Sequence, residues 1–149
     1  MAHNSETRFF IKERKTKGIV EVVKSIHIDG SHFMRERNLL VINNKNVGLT
    51  RKSFKYFTIL AFNLARGENN GGVNKYYLED GFYQTRYINR MKGEIKDGLE
   101  GVYPSVENPI IENDHNGHYR LVVDPGIITF NEALLKKYDD YDISSLFSS

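Results

Sequence analysis

The sequence predicts an α+β domain in which an antiparallel sheet comes first, three helices follow and a β-hairpin lies near the end. Short β-branched runs separated by turn residues fill the chain up to residue 49. Apolar residues then recur at helical spacing over residues 50–67 and 85–99. Two further apolar runs flank an Asn- and Gly-rich turn near residue 115. These three patterns, in this order, predict the mixed fold.

The sheet is predicted from the first third of the chain. An Asn-rich tetrapeptide at residues 43–46 separates two apolar runs, and Asn tolerates the positive φ that tight turns require, so a hairpin is expected there. Gly30 is expected to end the preceding strand. A short helix over residues 18–26 is an alternative to a strand in that stretch. The predicted strands cover residues 8–11, 19–23, 25–29, 39–42 and 47–49.

Three helices are predicted after the sheet. The first begins at Thr50, carries a broad apolar face and ends at Gly67, a residue type that stops helices. The second is short and covers residues 73–78, and the third covers residues 85–98. The apolar face of the first helix consists of Phe54, Phe57, Ile59, Leu60, Ala61, Leu64 and Ala65.

The third helix is amphipathic. Its apolar residues recur at spacings of three and four, which places them on one narrow stripe at about 100° per residue. They are Ile88, Met91, Ile95 and Leu99. Thr85 is expected to cap the N-terminus and Gly98 to adopt the left-handed conformation at the C-terminal end. The opposite face is rich in cations and amides and consists of Arg86, Asn89, Arg90 and Gly93. An ordinary helix with a solvated basic face would show the same pattern.

Two helices, a loop and a basic third helix follow the order of a helix-turn-helix unit, whose last helix reads DNA. A β-hairpin is predicted directly behind it over residues 110–123, in the position of a wing. A further helix is expected over residues 130–138, and the acidic residues 139–149 are expected to form a frayed terminus rather than a partner-binding peptide. The predicted organisation is an N-terminal extension (1–25), a winged helix-turn-helix domain (26–123) and a C-terminal helix with an acidic tail (124–149).

Composition narrows the classes of function. The chain contains no Cys, which excludes disulfides, thiol catalysis and Cys-based zinc sites. No apolar run approaches the roughly 18 residues that span a bilayer, and the first residues lack the apolar core of a signal peptide, so a cytoplasmic protein without a membrane partner is expected. Residues 1–96 hold 18 Lys or Arg against 9 Asp or Glu, whereas residues 97–149 hold 3 against 10. The basic portion suits a polyanion, although many proteins with uneven charge bind none.

These residues resemble the winged helix-turn-helix output domain of the OmpR/PhoB type of bacterial response regulators and their stand-alone relatives. The resemblance covers about residues 26–123. It rests on a Leu-Thr pair at residues 49–50 before the first helix, and on stretches 73–78, 87–95 and 110–121, which resemble the second helix, recognition helix and wing. The closing Tyr119, Arg120 and Leu121 are its most specific piece.

The chain departs from the family pattern at the wing. An Arg usually precedes a Gly-x-Gly-Tyr turn there, and this chain has His115, Asn116, Gly117 and His118 instead. The resemblance therefore implies a weaker grip on the minor groove, or one that requires protonated His115. The portion before the winged unit is too short for a receiver domain, so the resemblance does not imply control by phosphorylation.

A helix that reads the major groove needs cationic side chains that donate two hydrogen bonds to guanine O6 and N7, and amide side chains for adenine N6 and N7. It also needs small residues where the backbone approaches the bases. The predicted base-reading residues that supply these are Arg86, Asn89, Arg90 and Gly93. Other groups are expected to contact phosphates and set the position of the protein on DNA: Lys52, Lys75, Tyr76, Lys92 and Lys96. The predicted wing residues are His115, Asn116, His118 and Arg120.

The expected function is sequence-specific binding of double-stranded DNA by a bacterial-type transcriptional regulator, without catalytic residues, cofactor or metal. The Gly-containing stretch at residues 67–72 lacks the lysine and hydroxyl of a phosphate loop. The His and carboxylates of residues 112–118 match no strong zinc signature. The candidate protein partners are a second copy of the chain, which would form a homodimer, and RNA polymerase or another protein. The alternative function is a winged-helix module that holds a protein and has no sequence-specific affinity for DNA.

Overall fold

A computed structural model describes residues 23–67, 73–74, 84–100, 110–113 and 118–148. The strand predicted at residues 8–11 lies outside these ranges, as do most of the stretch at 19–23 and the later part of the predicted second helix. Four of the predicted site residues also lie outside them: Lys75, Tyr76, His115 and Asn116.

The described elements form an α+β architecture, which confirms the predicted class. Its strands are β1 (Ile26–Phe33), β2 (Arg37–Ile42), β3 (Lys45–Thr50), β4 (Val73–Asn74), β5 (Ile111–Asn113), β6 (His118–Leu121) and β7 (Ile128–Phe130). Its helices are α1 (Arg51–Arg66), α2 (Gln84–Gly98), α3 (Glu132–Leu135) and α4 (Tyr141–Ser144), with 3₁₀ turns at Pro125–Ile127 and Ser145–Phe147. One sheet has the strand order β3-β2-β1-β7, and a second has the order β4-β6-β5.

The first sheet is antiparallel except at its β7 edge, where β7 pairs parallel to β1. The predicted hairpin between β2 and β3 is confirmed, because Asn43 and Asn44 adopt φ values of 52° and 65° at its two-residue turn. Gly30 does not end β1, contrary to the sequence prediction. It introduces an irregularity at φ 88° between Ile28 and His32, and the strand continues to Phe33.

Helix α1 forms as predicted and lies at the centre of the core. Thr50 is its N-cap residue and Gly67 its C-cap residue. Its buried side chains include Phe54, Phe57 and Leu60, which the apolar spacing had indicated. The helix contacts β2, β3 and β6 as well as α2, so both sheets and the basic helix are organised around it.

The predicted second helix is wrong at its start. Val73 and Asn74 form strand β4 and pair with Tyr119 and His118 of β6. This pairing satisfies their backbone groups with a partner more than 40 residues away, which local helical spacing cannot reveal. The predicted hairpin is confirmed: Ile111 pairs with Leu121 across β5 and β6. Strand β4 extends it into a three-stranded sheet.

Helix α2 confirms the predicted amphipathic element, but its ends differ from the prediction. The helix begins at Gln84, so Thr85 is its second residue and not its N-cap. The left-handed residue after the helix is Glu100, at φ 59°, and not Gly98. Gly98 instead allows a close approach, because a Cβ on it would lie 2.9 Å from both methyl carbons of Val47.

The C-terminal segment packs on the same core and does not fray. The helix predicted over residues 130–138 contains only Glu132–Leu135, because Phe130 belongs to β7 and pairs with Ile28 of β1. Ile143 and Phe147 are buried, although the sequence around them is acidic and polar. None of the helices in the described ranges is both long enough and apolar enough to cross a bilayer.

Candidate nucleic-acid interface

Helix α2 turns its apolar stripe to the core and its cationic face to solvent. Ile88, Met91 and Ile95 are each at most 1% exposed, and Leu99 is also buried. The predicted base-reading residues Arg86, Asn89, Arg90 and Gly93 all lie on the exposed side. We refer to these four residues together with Lys96 as the α2 outer face. Lys96 is exposed as well, so cations occur along three turns of the helix.

Gly93 is exposed in the middle of this face. A Cβ built on it would meet no atom within 4 Å, in contrast to Gly98 on the same helix. A glycine in a helix interior costs roughly 1 kcal/mol relative to alanine. Packing with the described residues therefore gives no reason for a glycine at position 93.

Lys52 links α1 to the beginning of α2. Its ammonium lies 4.5 Å from the centre of the Tyr87 ring, in a cation–π contact. Tyr87 in turn packs edge-on against Tyr56, with ring centres 6.0 Å apart. The structure therefore holds Lys52 beside the first turn of α2, on the same part of the molecule as Arg86.

Lys92 and Lys96, both predicted to contact phosphates, have different surroundings. Lys92 is half-buried beside the apolar stripe, and burial lowers the pKa of its ammonium below the ordinary value. Lys96 is exposed. Of the two, Lys96 has the environment of a surface cation and Lys92 that of a side chain whose stem packs on the core.

Glu94 joins α2 to the N-terminus of α1. Its Oε1 accepts a hydrogen bond from the Thr50 backbone N–H at 3.0 Å, and its Oε2 accepts one from the Thr50 hydroxyl at 2.8 Å. The side chain is only 10% exposed. A carboxylate at a helix N-terminus also interacts favourably with the helix dipole. Glu94 thereby fixes the orientation of α2 relative to α1.

The same carboxylate lies between two arginines. Arg90 donates from Nε to Oε2 at 3.2 Å, and Nη1 of Arg37 lies 4.0 Å from Oε1. Arg37 is itself held in place, because its Nη1 donates to the Gly48 carbonyl at 2.9 Å. Glu94 thus contacts one fixed arginine from β2 and one exposed arginine from the α2 outer face.

In the hairpin, Arg120 is paired across the strands. Its Nε and Nη2 both lie 3.1 Å from Oε1 of Glu112, the residue opposite it in the register. His118 is half-buried on the same strand, and Tyr119 and Leu121 point into the core. Of the predicted wing residues, the structure therefore describes one neutralised arginine and one histidine.

Acidic residues of the C-terminal segment form ion pairs with basic residues on one side of α1. Asp139 accepts from Arg51 at 2.8 Å, and Asp142 lies 2.7 Å from the Lys55 ammonium. Glu132 pairs with Arg66, whose guanidinium also lies over the rings of Phe62, Phe130 and Phe147. The acidic C-terminal segment thereby pairs with three of the cations of α1, Arg51, Lys55 and Arg66.

Sequence reasoning missed Glu94 and Arg37. The signal for Glu94 was its position four residues after Arg90, a spacing at which opposite charges meet on a helix. Its contact with Thr50, 44 residues earlier, had no local signal. Arg37 could not be found at all, because its place depends on the pairing of β2 with β3.

Within the described residues, no group of three or more His, Cys, Asp or Glu side chains could hold a metal ion. The chain was compared with family models, curated proteins and solved structures, and none of them matches it. The geometry of the α2 outer face is therefore the basis for a functional assignment.

Proposed function

We propose that this protein binds double-stranded DNA in a sequence-specific manner, with α2 in the major groove, and regulates transcription. The observation that carries the proposal is the division of α2 into a fully buried apolar stripe and an exposed face with two arginines, one asparagine and one glycine. Arginine forks fit guanine, asparagine fits adenine, and glycine allows close approach of the backbone.

The dimensions of α2 support this placement. A helix with its side chains is about 10–12 Å wide, and the major groove is about 12 Å wide. The exposed positions from Arg86 to Lys96 rise by about 15 Å along the helix axis, at about 1.5 Å per residue. That length corresponds to about four or five base pairs at about 3.4 Å each. One helix can therefore read a short half-site.

The order of elements also supports a winged helix-turn-helix, as the resemblance to the OmpR/PhoB type implies. A sheet precedes α1, the strand β4 follows it, and α2 is followed by the hairpin β5–β6. Lys52 and Lys96 would contact phosphates beside the groove. Because Arg120 is paired with Glu112, this arginine would add little to binding, and α2 would carry most of it.

Fluorescence anisotropy with labelled duplexes tests the proposal. A selection from random or genomic duplexes first identifies the preferred sequence. Binding should weaken steeply as salt is added, because cations that contact phosphates release counterions. Arg90→Ala should cost about 1–3 kcal/mol on the preferred duplex. Lys136→Ala, which removes an exposed cation after α3, is the matched control and should bind like the wild type.

Two outcomes would contradict the proposal. One is an absence of duplex binding at low salt, and the other is unchanged affinity of the Arg90→Ala variant for the preferred duplex. Either result would favour the alternative function, a module that binds another protein through the same exposed helix.

A further inference from the structure

The structure fixes the orientation of Arg90 on the α2 outer face. Its side chain is 54% exposed, yet its Nε–H is bound to Glu94, which is almost fully enclosed. A guanidinium has five N–H donors. Within the described part of the chain, Arg90 uses only one of them, the Nε–H, in a hydrogen bond. The Nη1 and Nη2 groups at the far end of the fork remain for a ligand.

Glu94 is itself rigidly placed. Both of its oxygens accept hydrogen bonds from Thr50, at the junction of β3 and α1. Arg37, next to Thr50 in the β2–β3 register, lies on the other side of the carboxylate. The orientation of Arg90 is thus connected to the sheet and to α1 as well as to its own helix.

We infer that Glu94 is a positioning residue that holds Arg90 ready to donate from both Nη groups to O6 and N7 of a guanine. This inference rests on the proposed function and adds a chemical class of target, a site with a guanine opposite Arg90. A free arginine loses rotamer freedom when it forms a bidentate contact, and a guanidinium already held by Nε loses less. Glu94 therefore increases discrimination for guanine rather than general affinity for DNA.

The negative charge of Glu94 allows a positioning role to be distinguished from a purely structural role. A carboxylate near DNA opposes phosphate binding, so its removal should raise or preserve affinity for duplexes of unrelated sequence. The same change should loosen Arg90 and reduce the preference for guanine. A residue that only stabilised the fold would lower both affinities together.

The Glu94→Gln variant separates these effects. Its amide oxygen can still accept from the Thr50 N–H, whereas its amide N–H₂ cannot accept from Arg90. We expect the preferred duplex to lose about 5- to 10-fold in discrimination against a duplex in which the guanine contacted by Arg90 is replaced, while affinity for unrelated duplexes does not fall. That guanine is the one whose replacement no longer matters in the Arg90→Ala variant.

Two further variants act as controls. Asp97→Asn removes one negative charge from an exposed position on α2 and should leave the guanine preference unchanged. Arg90→Lys keeps the charge but lacks the planar fork, and should lose the guanine preference as Glu94→Gln does. A double-mutant cycle of Glu94→Gln with Arg90→Lys should show that the two losses do not add.

A measurement without DNA tests the positioning directly. The NMR signal of the Arg90 Nε–H should exchange slowly with water in the wild type and rapidly in Glu94→Gln. Equal exchange in both proteins, or full guanine discrimination by Glu94→Gln, would overturn the inference while leaving DNA binding intact. Failure of the wild type to bind any duplex would overturn the proposed function, and this inference with it.

Discussion

At the scale of single residues, two glycines on one helix have opposite explanations. Gly98 is required by the protein itself, because a Cβ there would press against Val47. At Gly93 a Cβ would meet no atom within 4 Å. No contact within the described part of the protein therefore offsets the free-energy cost of a glycine in a helix interior. In the proposed complex, glycine at position 93 lets DNA approach the α2 outer face closely.

This explanation predicts that Gly93→Ala changes stability and binding in opposite directions. The variant should gain up to about 1 kcal/mol in the free energy of unfolding, because alanine favours the helix. Its affinity for the preferred duplex should fall several-fold, because the added methyl group occupies the contact. Urea denaturation and anisotropy measure the two effects. Gly98→Ala, the control, should lose stability, and a Gly93→Ala protein with undiminished affinity would contradict the explanation.

Tyr138 gives the structure a sensitivity to high pH. Burial raises the pKa of its hydroxyl to about 12, and the hydroxyl donates to Oδ1 of Asn38 at 2.9 Å. Because the folded-state pKa lies above the ordinary value of about 10, the contribution of this group is intact below pH 10. It is lost as the pH rises from about 10 to about 12.

We therefore expect Tyr138→Phe to lose less stability than the wild type between pH 9 and pH 11. The variant lacks the ionisable hydroxyl, although it also lacks the bond to Asn38 and should be less stable at pH 9. Denaturant midpoints at the two pH values measure the difference. Equal losses in the two proteins would show that Tyr138 does not contribute to this pH dependence.

At the scale of elements, α1 presents two lysines in different environments. Lys52 lies over Tyr87 beside α2, whereas Lys55 is paired with Asp140 and Asp142 of the C-terminal segment, at 3.6 and 2.7 Å. The first faces the proposed DNA site, and the second is neutralised within the protein. Their roles in binding should differ accordingly.

Lys52→Ala should weaken binding to all duplexes by a similar factor and reduce the slope of log affinity against log salt by about 1, as expected for one lost phosphate contact. Lys55→Ala truncates the same type of side chain on the same helix, and it should leave both the affinity and the slope unaltered. Anisotropy titrations at several salt concentrations measure both. An equal reduction of the slope by the two variants would contradict the proposal that DNA contacts Lys52 and not Lys55.

The elements that sequence could predict are those with local signals. The turn at Asn43 and Asn44, the stops of α1 and the apolar stripe of α2 all depend on neighbours within a few residues. The pairing of β7 with β1 joins residues about 100 positions apart, so Phe130 was predicted as helix. The apolar stripe also identified the exposed positions of α2, whereas the contact of Glu94 with Thr50 depended on the fold.

At the scale of the whole molecule, the C-terminal segment completes the core. Phe147 is 5% exposed and packs edge-on against Phe62, with ring centres 5.3 Å apart. Phe130 of β7 also packs against the Phe147 ring, with ring centres 5.2 Å apart. The acidic surface of this segment and its buried aromatic residue therefore have separate roles, neutralisation of α1 and closure of the core.

Phe147→Ala should lower the free energy of unfolding by about 3 kcal/mol, the lower end of the range for a buried Phe. Tyr141→Ala, in the same segment, removes a side chain that is 81% exposed and should change stability by less than about 0.5 kcal/mol. Chemical denaturation measures both. Similar small effects of the two substitutions would show that the segment is not part of the cooperative core.

In the proposed complex, duplex DNA lies on the α2 outer face. Backbone NMR shifts of the whole protein, followed as the preferred duplex is added, test it most directly. We expect the large shifts at residues 86–96 and at Lys52, and little change at residues 139–147. Large shifts confined to the C-terminal segment or to the β1–β2 hairpin, or no shifts at low salt, would contradict it.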